Sequence, residues 1–209
     1  MKVQYAAALL LAVTAASAQA QTGLRADVHA GWDRFTSHQR TDVGINGETM
    51  LQHEDGMIFG GELGYDASIS DFKLGVYVGL EGSTAKRCSE VFAEVETCEK
   101  VGRNFTAGAR LGYQVKPDVL IYAKGGYSNG AVKVDLIDHV TPANSLSITE
   151  DMGGYHLGGG VQVGLTKNVY AKLEYVHTDY NDYLIEEGNA SITGGLNREN
   201  VVFGIGVTF

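Results

Sequence analysis

The sequence predicts an all-β protein, an eight-stranded antiparallel up-and-down transmembrane β-barrel. Three observations carry that expectation. Apolar and small or polar residues alternate with a period of two through eight separate segments. The connections between those segments alternate long and short, about twenty residues and then only a few, as in barrels with external loops and tight periplasmic turns. Large aromatics on the apolar face gather at the two ends of the segments, as they do in the interfacial girdles of membrane barrels.

The segments follow in order. Leu24, Ala26, Val28, Ala30 and Trp32 share one face, and Arg25, Asp27 and His29 the other. Met57, Phe59, Gly61, Leu63 and Tyr65 oppose Gly60, Glu62, Gly64 and Asp66. A turn at Ser68–Asp71 leads to Phe72, Leu74, Val76, Val78 and Leu80, backed by Lys73, Gly75, Tyr77, Gly79 and Glu81. Phe105 to Val115 sets Phe105, Leu111 and Tyr113 against Thr106, Arg110 and Gln114, and Lys116-Pro117-Asp118 turns the chain. Val119 to Ser128 places Lys124 on the inner parity, Tyr155 to Leu165 places His156 and Gln162 there, and Val169 to Tyr175 adds Lys172 and Glu174. The final strand, Val201–Phe209, turns Phe203, Ile205, Val207 and Phe209 one way and Gly204 and Gly206 the other.

A soluble sandwich alternates in the same manner, with its apolar face buried. The aromatics separate the two readings. Tyr65, Phe72, Tyr113 and Phe209 fall near the short turns, and Trp32, Phe59, Phe105, Tyr127 and Tyr155 near the long connections. A soluble core would place its largest rings in the middle of each strand.

Lys2, an apolar run from Tyr5 to Ala16 and Ala18-Gln19-Ala20 have the form of a secretory signal peptide over residues 1–20. The barrel domain is then residues 21–209, beginning at Gln21. Cys88 and Cys98 are the two cysteines, and in an oxidising compartment they are expected to form a disulfide. A formal net charge of −9 gives no basic surface for nucleic acid. The histidines show no ligand spacing within one element, so no metal and no cofactor is expected.

If the apolar face meets lipid, a charge network of Glu62, Asp66, Lys73, Glu81, Arg110, Lys124, Lys172 and Glu174, with Arg25 and Asp27, fills the interior. Buried charges must pair. A symmetric turn at Ser68–Asp71 sets Asp66 against Lys73, and the count about Lys116–Asp118 sets Arg110 beside Lys124, a rung that needs Glu62, Glu81 or Glu174. The network is either a polar plug or the lining of a narrow pore. A third reading, a lipid-modifying enzyme, rests on His177 and Asp179 with a serine such as Ser128 or Ser191. No catalytic residue is assigned. The long connections are acidic, at Glu48, Glu54 and Asp55, at Glu90, Glu94, Glu96 and Glu99, and at Asp179, Asp182, Glu186 and Glu187.

Val119-Leu-Ile-Tyr-Ala-Lys-Gly-Gly-Tyr127, Val169-Tyr-Ala-Lys-Leu-Glu-Tyr175 with Thr178-Asp-Tyr180, and Val201–Phe209 resemble the small outer-membrane β-barrel family that includes the opacity-type surface proteins and the barrel domain of outer membrane protein A. The resemblance implies location in the Gram-negative outer membrane with both termini periplasmic. It also implies contact with outer-membrane lipids and lipopolysaccharide, and an assembly signal at Phe209 read by the barrel assembly machinery. Family members serve envelope integrity, adhesion or surface antigenicity, and some are described as porins. A structural or surface-interaction role through the loops, with a host or surface ligand, is therefore expected, with a small porin as the alternative. With nothing after Phe209, the peptidoglycan-binding domain of longer relatives is not expected, and the cysteine pair departs from the family pattern.

Overall fold

The computed structural model describes residues 22–43, 46–92, 95–138, 146–187 and 190–209. The signal-peptide reading of residues 1–20 and the start of the mature chain at Gln21 lie outside them, as do His139 and the side chains of Glu48, Glu90, Glu94, Asp182, Glu186, Glu187 and Ser191.

The described chain is built of β1 (Gly23–Val43), β2 (Asn46–Ile69), β3 (Phe72–Ser83), β4 (Lys86–Phe92), β5 (Val95–Lys116), β6 (Val119–Asp138), β7 (Leu146–Gly164), β8 (Val169–Glu187) and β9 (Ala190–Thr208). Every pairing is antiparallel. Both β3 and β4 pair with β5, so they are successive segments of one barrel strand. The break at Thr84 and Ala85 is held by Thr84 N donating to Met57 O at 2.9 Å and Val101 N to Ala85 O at 3.1 Å. β1 pairs with β9 from Arg25↔Thr208 to Val43↔Ala190 and closes a ring of eight strands without an open edge.

The outside is apolar and the inside charged. Val28 is 69% exposed, Leu63 61% and Phe203 57%, whereas Arg25 is 1%, Lys172 2% and Glu62 4% exposed. A water-soluble fold would reverse those figures. The aromatics form two belts. Phe72 and Tyr113 meet with ring centroids 5.2 Å apart at the short-turn end, and Tyr127 and Tyr155 at 6.1 Å at the other. Phe209 N donates to Leu24 O at 2.9 Å, which puts the terminal ring beside the first strand.

Two expectations are corrected. The long connections are largely not loops but extensions of the ladder beyond the girdle. β1 and β2 stay in register from Trp32↔Met57 to Val43↔Asn46, and β8 and β9 pair out to Glu187↔Ala190. Alternation of apolar with polar residues marks only the lipid-facing span, while polar β-formers such as Thr36 keep the ladder going in water. Asp66 does not face Lys73. The turn is the two-residue Ser70–Asp71 with Ile69↔Phe72, so Ser68 faces Lys73 and Asp66 faces Gly75. Ser70 takes the left-handed φ of 55° that such tight hairpins require.

Candidate functional site

The barrel interior concentrates the molecule's buried chemistry, and small residues make the room for it. Tyr77 lies directly opposite Gly108, Tyr122 opposite Gly160 and Tyr170 opposite Gly206 on the neighbouring strands. Each tyrosine crosses the face of its glycine, where a Cβ would collide with the phenol. Three large side chains thereby turn into the lumen and narrow it.

Among the described residues, six carboxylates (Asp27, Asp33, Glu62, Asp66, Glu81 and Glu174) share the lumen with six cations (Arg25, Lys73, Arg110, Lys124, Lys172 and Arg198). Toward the short-turn end, Arg110 holds Asp66 with both arms of its guanidinium, Nε to Oδ1 at 2.9 Å and Nη2 to Oδ2. Arg25 Nη1 donates to Glu62 at 2.6 Å and to Asp27 at 3.1 Å. At mid-barrel, Lys124 Nζ reaches Glu62 at 2.5 Å and Glu174 at 3.2 Å, while Lys172 Nζ sits 2.7 Å from Asp27. Tyr122 donates to Glu174 at 2.7 Å, and Tyr170 donates to Asp27 at 3.0 Å. His29 bridges upward, 3.2 Å from Asp27 and 3.6 Å from Glu81. Above it Arg198 forks onto Asp33 at 2.8 and 3.0 Å, and Asn200 donates to the same carboxylate at 2.5 Å. Phe35 stacks on the Arg198 guanidinium at 4.8 Å.

Such a network is stable only when each charge meets its opposite, because desolvation of one unpaired ion costs several kcal/mol. Pairing is close to complete, though Arg25 Nη2 and Arg198 Nη1 lie buried without a hydrogen-bond acceptor. Two cavities flank the network. One is a vestibule of about 620 Å³ among the short turns, ending on Leu120, Gln162 and Tyr170, with Lys73 in its wall. The other, beneath the outer rim beside Arg198 and Tyr180, holds about 10 Å³, on the order of one water.

Among the residues expected to form the network, the structure brings together Glu62, Asp66, Arg110, Lys124, Lys172 and Glu174. Arg110 and Lys124 are register partners, and they divide the available acids, Asp66 going to Arg110 and Glu62 with Glu174 to Lys124. Glu81 stands apart, with His29, Arg198 and Asn104. Sequence reasoning missed Asp33, Arg198 and Asn200, because the first strand was expected to end at Trp32 and the last to begin at Val201. Continued parity would have found them: Asp33 follows Arg25, Asp27 and His29 in steps of two, and Asn200 and Arg198 precede Val202 likewise.

Among the described residues weighed for catalysis, His177 and Ser128 do not converge. His177 lies on the outer wall, 3.9 Å from Glu199. Ser128 is inside the barrel, 2.8 Å from Nδ1 of His156, whose Nε2 contacts the Tyr77 hydroxyl. Among the described residues, a possible ligand cluster of Cys88, Glu96 and Cys98 has its two sulfurs joined in a disulfide, which leaves no thiolate to bind metal. Above the outer girdle, beyond the lipid-spanning part of the strands, Asp135 accepts hydrogen bonds from Lys100, Ser147 and Lys133, which hold its carboxyl well below the usual carboxylate range.

Known proteins share this architecture. The family model described as outer membrane protein beta-barrel domain matches residues 5–209. The 22 kDa outer membrane protein of Rhizobium leguminosarum bv. viciae is 35% identical over 112 residues, covering 53% of this chain and 48% of that protein. The 31 kDa outer-membrane immunogenic protein of Brucella melitensis biotype 1 is 26% identical over 169 residues, covering 79% and 65%. The chain thus spans about half to two thirds of the length of these curated relatives. Among solved structures, Neisserial surface protein A superposes with a TM-score of 0.54 at 14% identity, covering 91% of this chain and all of that one. The outer membrane protease OmpT from Escherichia coli gives 0.50 at 12% identity, covering 90% and 97%. Likeness at these identities speaks to the fold alone.

Proposed function

From the premise that this chain belongs to the outer membrane protein β-barrel domain family, we propose that it is a non-enzymatic outer-membrane anchor. In this reading the closed barrel carries surface hairpins that serve envelope integrity or bind a surface partner. One observation carries it: the lumen is filled by ion pairs and phenols, so the part of the molecule left to meet other molecules is the set of ladder extensions above the outer girdle. Export through cleavage after Ala20, and recognition of Phe209 by the barrel assembly machinery, belong to the same proposal. N-terminal sequencing of the membrane form should begin at Gln21.

Replacing residues 37–52 by an Asn-Gly turn tests the role of the hairpins. Thr36 and His53 are register partners, so the excision leaves the lower ladder intact. The trimmed barrel should still fold and insert, while the cells lose resistance to detergent or binding to their surface partner. A trimmed chain as protective and as adhesive as the full one, with the other hairpins likewise dispensable, contradicts the proposal.

The vestibule favours a second reading, a narrow pore lined by the same charges. Passage would require the Lys124 and Arg198 clusters to part. Conductance separates the two.

A further inference from the structure

An unusual row of like charges crosses the outer wall of the β4–β5–β6 sector. Lys86 pairs in register with Lys100, and Lys100 with Lys133, so three lysines stand side by side on adjacent strands. Neighbouring strands are only about 4.8 Å apart, and like charges placed directly opposite destabilise a sheet. The face is fixed by its reverse side, where Val101 and Val132 line the small inner cavity. The lysines therefore point outward, and Lys86 and Lys133 are exposed.

Arg103 continues the stripe downward, stacked at 4.9 Å over Phe105 of the outer girdle. From Phe105 to Lys100 the strand climbs about 12 Å along the barrel axis, at the rise and tilt usual for barrel strands. That interval is the headgroup layer of the outer leaflet. Two carboxylates answer the four cations: Asp135 holds Lys100 at 2.8 Å and Lys133 at 3.1 Å, and Asp151 holds Arg103 at 3.1 Å. The stripe keeps a positive excess in a chain whose net charge is −9.

A second feature holds the row in place. The Cys88–Cys98 disulfide joins register partners one step further up the same face as Lys86 and Lys100. It locks the hairpin in the alignment that mutual repulsion of the lysines opposes. A covalent clamp beside a cation row that its carboxylates only partly neutralise is the arrangement of a preorganised anion site.

We propose that this stripe binds the phosphorylated headgroup sugars of the outer-leaflet glycolipid, seating them against one side of the barrel. The inference rests on the outer-membrane placement and not on whether the lumen is closed, so lipid binding and conductance fail separately.

The test titrates the folded protein in detergent micelles with bis-phosphorylated rough lipopolysaccharide, with the same glycolipid after phosphatase treatment, and with heparin as a soluble polyanion. The wild type should bind the phosphorylated glycolipid, and phosphatase treatment should weaken it. The K86Q/K100Q/K133Q variant should bind about tenfold to a hundredfold more weakly, as three lysines at an anionic surface imply. Its heat-modifiable gel migration should be that of the folded wild type. Asp135→Asn, which frees two lysines from their carboxylate, should strengthen binding and serves as the second variant if the triple one fails to fold. Equal binding by wild type and triple variant, no change with Asp135→Asn, or binding of heparin in preference to the glycolipid overturns the proposal.

Discussion

Lys124→Met removes the cation on which two buried carboxylates converge. Its ammonium is 2.5 Å from Glu62 and 3.2 Å from Glu174, and all three side chains are nearly sealed from solvent. Methionine fills similar volume, so the cost is electrostatic rather than a cavity. Glu62 keeps Arg25 at 2.6 Å, and Glu174 keeps the Tyr122 hydroxyl at 2.7 Å and a distant Lys172 at 3.9 Å. One negative charge is left uncompensated, and breaking a buried pair from one side costs about 3–5 kcal/mol. With a urea slope of about 2 kcal/mol per molar, the midpoint should fall by roughly 2 M. Unfolding from lipid vesicles can be followed by the fluorescence of Trp32, the sole tryptophan, which sits in the outer girdle. The companion variant K124M/E174Q removes one acid with the cation, leaves Glu62 on Arg25 and restores the balance of buried charge. It should return to within about 1.5 kcal/mol of wild type, since replacing a buried ion pair by neutral groups of similar volume is nearly free. A single variant within about 0.5 kcal/mol of wild type, or a double variant no better than the single, would refute the view that these charges are held by mutual pairing.

Three further expectations follow from particular contacts. Gly206→Ala sets a methyl against the Tyr170 ring and should cost about 1–3 kcal/mol in the same assay, partly recovered when Tyr170→Leu clears the space. Asp135 has a lowered folded pKa, so its contribution is present above the ordinary carboxylate value of 3.8 and is lost as pH falls below it; the difference in amide exchange between wild type and Asp135→Asn in β6 and β7 should vanish on acidification. Reducing Cys88–Cys98 should open the β4–β5 extension to proteases while the barrel still migrates as folded, since a bridge across a sequence separation of 10 contributes about 2–3 kcal/mol to that hairpin.

The lipid-spanning part of this molecule was legible because bilayer and lumen demand opposite chemistry from successive residues. Leu24, Ala26 and Val28 against Arg25, Asp27 and His29 already distinguish the two faces. The Arg110–Lys124 rung could be counted from the short turn at Pro117. The Ser68–Asp71 hairpin could not, because a left-handed Ser70 moves its centre by one residue and shifts every partner of Asp66. Above the girdle the apolar signal stops while the ladder does not, since water satisfies exposed side chains and the backbone still prefers its own partners. Asp33 and Arg198 lie just past that point, far apart in sequence and joined only when β1 meets β9. The glycine–tyrosine pairs escaped for a related reason. A glycine at inner parity signals room, but which phenol fills it depends on the register of the next strand.

Ion current through single molecules in a planar bilayer tests the closed lumen most directly. With Asp33, Glu62, Asp66 and Glu174 all engaged by cations, the folded wild type should leave the membrane resistance unchanged in molar potassium chloride, and Arg198→Ala with Lys124→Met should introduce current. Stable conductance by the wild type, altered in selectivity by Arg110→Ala or Glu174→Ala, would contradict the plug and make the same charges the lining of a pore.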